Sequence, residues 1–101
     1  MIIITGTMEV APGNEEQAKA NFALAAEKCK DERGCIDYRF WQSVDQPNLF
    51  RVYEEWEDKD CLREHSAHPN FKAHAERMAP LGVSNRQLKM IEPDRIKELS
   101  I

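Results

Sequence analysis

The sequence predicts an α+β domain of the split β-α-β-β-α-β kind. Strand patterns stand at both ends of the chain, a close pair of strand patterns fills its middle, and helix-period stripes lie on either side of that pair. At 101 residues there is room for a single core. The domain is expected to occupy residues 1–92, with 93–101 as a C-terminal tail whose Ile96, Leu99 and Ile101 suffice to dock but not to form a core.

The first strand is IIITGTMEV (2–10), with Ile2, Ile4, Gly6, Met8 and Val10 on one face and Ile3, Thr5, Thr7 and Glu9 on the other. Both faces open apolar, so both are expected to be covered. Ala11-Pro12-Gly13 ends it. Asn14 reads as a helix N-cap, and Gln17 three residues later completes a capping-box pattern. The helix runs to about Arg33 on a stripe of Ala18, Phe22, Ala25, Ala26 and Cys29, with Gly34 at a left-handed stop. Strand two, CIDYRFWQ (35–42), sends Ile36, Tyr38 and Phe40 one way and Cys35, Asp37, Arg39 and Trp41 the other. Strand three, LFRVYEEW (49–56), sends Phe50, Val52, Glu54 and Trp56 one way and Leu49, Arg51, Tyr53 and Glu55 the other. The short turn around Pro47-Asn48 makes them a hairpin. Two short helices follow, 58–67 and about 69–79, with Pro69 at a first helical position and Phe71, Ala75 and Met78 as the later stripe. Gly82 precedes a last strand near 83–92, and Pro93 ends it. This is the ferredoxin-like order, whose antiparallel sheet has one face covered by helices and one bare. On the bare face Trp41 and Tyr53, or else their opposite-parity neighbours, would be exposed in a single copy, which predicts a partner surface, most simply a second copy.

Composition removes several functions. A net charge of −4, with 42% hydrophobic and 32% charged residues, describes a folded soluble domain without the basic face that nucleic acid requires. No apolar run approaches the roughly 18–20 residues of a membrane span. The opening MIIITGTMEV lacks a basic start and a cleavage site, so it is not read as a signal peptide. Cys29, Cys35 and Cys61 form no CxxC pair and read as free thiols, which predicts a cytoplasmic protein.

Four ordered stretches, VAPGNEEQ (10–17), ERGCIDYRFW (32–41), FRVYEEWEDKDCLREH (50–65) and HPNFKAH (68–74), resemble the antibiotic biosynthesis monooxygenase family over about residues 1–90. Arg33 replaces a usual proline, and Cys61 a usual alanine. The resemblance implies a homodimer of the dimeric α/β-barrel type. It also implies a monooxygenase that oxidises a small phenolic or quinol substrate with O₂, without a metal or flavin. The electrons then come from the substrate once it is deprotonated. That chemistry requires a flat apolar cavity, a base and a donor for the oxyanion.

His65 is the candidate base, because imidazole titrates near neutral pH and the helix spacing from Cys61 and Leu62 aims it inward. The structural alternative is a buried histidine bonded to a backbone carbonyl or to Glu54. Trp56 and Phe50 are candidate ring-packing walls, or else plain core. Tyr38 and Tyr53 are candidate hydrogen-bond donors to the substrate, and Glu54 a carboxylate that orients His65 or joins a structural ion pair. The spacing H-x₂-H-x₅-H of His65, His68 and His74 matches no established ligand set, so no metal is expected. Cys61 one turn before His65 lacks the third group of a nucleophile–base pair. Two other functions stay open: haem degradation, for which His74 is the nearby ligand candidate, and a non-catalytic dimer that binds a small aromatic.

Overall fold

The computed structural model describes residues 1–100 and contains the expected elements in the expected order: β1 (Ile2–Glu9), α1 (Glu15–Cys29), β2 (Cys35–Gln42), β3 (Leu49–Trp56), α2 (Lys59–Ala67), α3 (Pro69–Met78), a short 3₁₀ turn at Ala79–Leu81, and β4 (Ser84–Ile91). The strands form one antiparallel sheet in the order β2-β3-β1-β4. Among the described residues no helix is long and apolar enough to cross a membrane. Residues 92–100 add neither helix nor strand, and Ile101 of the expected tail lies outside the described residues.

Alternation along β3 is realised fully. Phe50, Val52, Glu54 and Trp56 are buried beneath the helices, while Arg51 is exposed on the other face, where its guanidinium donates to Thr5 Oγ1. The stripe of α1 packs as its spacing requires, with Ala18, Phe22, Ala25 and Cys29 buried and the Phe22 ring stacked on Phe40 at 4.2 Å. The start of this helix differs from the expected capping box. Asn14 stands at the N-cap, but its amide donates to the Leu81 carbonyl, and Gln17 turns to Asn21. The helix also ends near Cys29, short of Arg33, and Gly34 keeps its left-handed conformation (φ +75°) in the turn that enters β2. Helix α2 is capped by Asp58, whose carboxylate accepts from the Cys61 N–H. Helix α3 starts at Pro69, with the His68 ring accepting from the Asn70 N–H.

Two bulges depart from simple alternation. In β2 the register shifts between Cys35 and Asp37, so Cys35 pairs with Trp56 and Asp37 with Glu55. The extra residue, Ile36, is turned out to solvent at 52% exposure rather than sharing a face with Tyr38, and Cys35 packs toward the core. In β4, Ser84 pairs with Glu9 and Gln87 with Thr7, leaving Asn85 and Arg86 together opposite Met8. Asn85 supplies the left-handed conformation (φ +50°), and its amide donates to Glu9.

The helices cover β1, β3 and β2 but stop short of β4, every residue of which is exposed. Leu88 therefore stands at the edge of a cleft between sheet and helices. The stripe of α3 faces that cleft: Met78 is buried, whereas Phe71 and Ala75 are exposed to it.

Candidate active site

The cleft holds a cavity of about 450 Å³, floored by the sheet and roofed by α2 and α3. That volume lies in the usual range for small-molecule sites. Most of its lining is apolar, including Ile4, Met8, Phe22, Phe40, Val52 and Phe71. The polar groups that reach it are Tyr38, Glu54, His65, Ser66, His74 and Arg86. A further depression of about 340 Å³ beside Lys19, Arg39 and Trp41 lies across α1 and holds no histidine.

His65 is buried, with 3% of its side chain exposed. Its Nδ1 lies 2.8 Å from Oε1 of Glu32, in the turn after α1. Asn70 donates to the other oxygen of that carboxylate at 3.1 Å. Burial works to raise the Glu32 carboxyl, but hydrogen bonds from His65, Asn70 and Cys29 outweigh it and hold the group below its ordinary value. Glu32 is thus an ionised acceptor, and an acceptor at 2.8 Å assigns the imidazole proton to Nδ1. Nε2 lies 4.0 Å from Glu54 Oε1, too far for a hydrogen bond. The result is a histidine oriented by a carboxylate from behind, with Nε2 left on the cavity side.

Glu54 is a different kind of carboxylate. Burial pushes it above its ordinary value, only partly offset by the indole N–H of Trp56, which donates to it at 2.9 Å, and by His65. Trp56 itself is fully buried and does not line the cavity. Its ring lies against His65 at 4.6 Å and fixes the tilt of the imidazole from below. Tyr38 does reach the cavity, 5.4 Å from the His65 ring. Burial, with Glu54 and Cys29 nearby, drives its hydroxyl far above the ordinary phenol value, so it remains a donor.

The other expected site residues lie elsewhere. Phe50 is buried in the core against Phe22, behind the cavity wall. Tyr53 sits on the bare sheet face, where its hydroxyl donates to Glu55 at 3.0 Å, so strand parity removes it from the cavity. Glu54 is not the hydrogen-bond partner of His65; Glu32 is. Glu32 was not singled out from the sequence, although it heads the stretch ERGCIDYRFW. Arg86 was missed as well, although alternation along β4 sets it on the same side as Leu88 and Met90.

Donor atoms of Cys29, Glu32 and His65 lie within 4.8 Å of one another. An ion there would have to replace the Glu32–His65 hydrogen bond and take the proton of a thiol that burial, then Glu32, hold far above its ordinary value. Burial raises the Cys61 thiol too, and its side chain is turned to Asp58 rather than hydrogen-bonded to His65, so nothing activates it as a nucleophile.

A sequence profile described as antibiotic biosynthesis monooxygenase matches residues 1–77. The chain belongs to that family. A solved structure from Deinococcus radiodurans, provisionally described as an antibiotic biosynthesis monooxygenase, superposes with a TM-score of 0.91 at 20% identity, covering 99% of both chains. One from Caulobacter crescentus, described in the same way, has a TM-score of 0.84 at 25% identity over 95% of this chain and 90% of its own. An uncharacterized protein of Synechocystis is 27% identical over 89 residues, 88% of this chain. The chain spans 60% of the length of that relative. Three of the four stretches that resemble the monooxygenase family carry the site: ERGCIDYRFW supplies Tyr38 and, behind the cavity, Glu32; FRVYEEWEDKDCLREH supplies Glu54 and His65 with Trp56 beneath them; and HPNFKAH supplies Phe71 and His74.

Proposed function

We propose that this member of the monooxygenase family oxidises a small phenolic or quinol substrate with O₂, using His65 as the general base. The observation that carries this reading is the Glu32–His65 pair at 2.8 Å, with Nε2 free beside an apolar cavity. A ring hydroxyl placed at Nε2 gives up its proton there, and Glu32 steadies the imidazolium that forms. The Tyr38 hydroxyl donates to the phenolate oxygen. The electron-rich ring then supplies the electrons for O₂. One oxygen atom enters the substrate, the other leaves as water, and two substrate hydrogens leave with it. Glu54, held toward its neutral form by burial, avoids repelling the developing anion.

The protein is further proposed to be a homodimer of the α/β-barrel type, each copy holding its own cavity. Trp41 at 56% and Ile36 at 52% exposure stand on the sheet face that no helix covers, an apolar surface suited to a second copy. Three free cysteines fit a reducing compartment such as the cytoplasm.

Oxygen uptake with a panel of hydroquinones, wild type against His65→Ala, tests the reaction. Uptake that depends on His65 supports it. Binding of the same compounds without any uptake by the wild type leaves the non-catalytic binding role instead.

A further inference from the structure

We infer that Arg86 and His74 form an anion subsite at the β4 side of the cavity, so that the preferred ligand is a hydroxylated aromatic acid. This rests on the reading of the cavity as a hydroxyaromatic site and names the second functional group of its ligand.

The placement of Arg86 is the first argument. Along β4, Leu88 pairs with Gly6 and Met90 with Ile4, which puts both on the cavity side of the sheet. Arg86, two residues before Leu88, shares that side by plain alternation and continues the ladder opposite Met8, itself a cavity residue. The extra residue of the bulge is the left-handed Asn85, which changes the face only of the residues before it. Arg86 therefore stands on the cavity wall in unbroken register with Leu88 and Met90.

The second argument is what Arg86 lacks. Arg33, Arg39 and Arg63 each close an ion pair with a nearby carboxylate, and Arg51 donates to Thr5. Among the described residues, no ion pair includes Arg86. The one carboxylate that shares its cavity is Glu54, whose Oε1 accepts from the Trp56 indole and on which the Arg86 charge acts only from beyond ion-pair distance.

The third is His74. It lines the same cavity from α3, beside Phe22 and Phe40, and its Nδ1 is buried without a hydrogen-bond partner. A buried polar atom left unpaired is costly, and a ligand oxygen offers it a partner. Burial, then Arg77 and Arg86, pushes the ring down to about 4, so it is neutral at physiological pH and serves as a hydrogen-bonding group, with the charge supplied by Arg86.

The groups facing the cavity therefore separate by function. His65 and Tyr38 address a hydroxyl, apolar side chains hold the ring, and Arg86 with His74 addresses an acid group. A planar guanidinium takes a carboxylate in a two-pronged hydrogen bond, which fixes orientation as well as affinity.

The test is anaerobic titration calorimetry with 6-hydroxy-2-naphthoate and, as the neutral comparison, 2-naphthol. The acid is expected to bind about tenfold more tightly, the scale of one charge-assisted hydrogen bond. Arg86→Gln should abolish that preference and leave 2-naphthol binding unchanged, and Arg86→Lys should restore part of it. Should Arg86→Gln fail to fold, the wild type still decides: raising salt must weaken binding of the acid and spare the naphthol. Equal binding of the two compounds by the wild type, or an Arg86→Gln protein that keeps the preference, overturns the inference. Arg86-dependent binding without oxygen uptake from any hydroquinone supports the subsite and removes the oxygenase reading.

Discussion

Replacing Glu32 by glutamine separates the carboxylate's role from mere space filling. The wild-type side chain accepts from His65 at 2.8 Å and from the Asn70 amide at 3.1 Å, with 6% of it exposed. Glutamine has one acceptor oxygen, so it satisfies one of these donors and opposes the other with its own NH₂. The loss of one hydrogen bond to a charged acceptor costs about 1.5–3 kcal/mol. In a domain of this size that lowers Tm by roughly 10 °C. If the NH₂ turns toward His65, Nδ1 must become an acceptor, the ring proton moves to Nε2, and the base is lost. Oxidation is then expected to slow ~10²-fold or more. The pH dependence adds a signature. Glu32 has a lowered value in the folded state, so its stabilisation is present above the ordinary carboxylate range and is lost as pH falls through the folded value. The Tm gap between wild type and Glu32→Gln should therefore be widest near neutrality and shrink in acid. Thermal melts from pH 3 to 8, paired with an oxygen electrode, measure both. A Tm gap that is constant with pH, together with unchanged oxidation, refutes the assignment of Glu32 as the charged partner of His65.

His65→Ala is expected to slow quinol oxidation by ~10²-fold, and the deficit should narrow at alkaline pH where the substrate ionises unaided, as a pH–rate profile will reveal. His74 binds fewer protons in the folded protein than in the unfolded chain between pH 6.5 and about 4, so its contribution to stability is lost as pH falls through that window. Because the ring is partly exposed, the loss is ~2 kcal/mol at most, and His74→Gln should remove it from the acid-denaturation curve. Gly34→Ala combines a positive φ with a Cβ that would lie 2.3 Å from the Cys61 sulfur, so a cost of about 2–4 kcal/mol is expected in urea melts. Light scattering should give the mass of a dimer, and Trp41→Glu should shift it toward the monomer without removing the cavity.

The hairpin, the helix stripes and the bare sheet face were legible in the sequence because each rests on a repeating period, two for strands and 3.6 for helices. His65 was legible because helix spacing from Cys61 carries it inward. Glu32 was harder to see: it follows the last turn of α1, one step beyond the apolar stripe, and meets a partner 33 positions away in the chain. Its place at the head of ERGCIDYRFW was the available clue. Ile36 escaped for a related reason. A bulge adds one residue without changing composition or hydrophobicity, so counting by twos assigns the bulged residue to the wrong face. Arg86 keeps the alternation of Leu88 and Met90, but nothing in the sequence says that this side of β4 borders a cavity. Tyr53 shows the converse, since the β3 alternation had already set it opposite Trp56.

The bulge at Asn85 also has an evolutionary reading. A single-residue deletion there would restore the plain ladder and leave the arginine opposite Met8, still on the cavity side. The bulge thus absorbs a change of length in the connection from Gly82 without disturbing the register from Arg86 to Ile91. Relatives that differ in length by one residue between Gly82 and Asn85 should therefore keep the same cavity-facing position, so the charge of the ligand this scaffold accepts changes by substitution at that position and not by insertion or deletion.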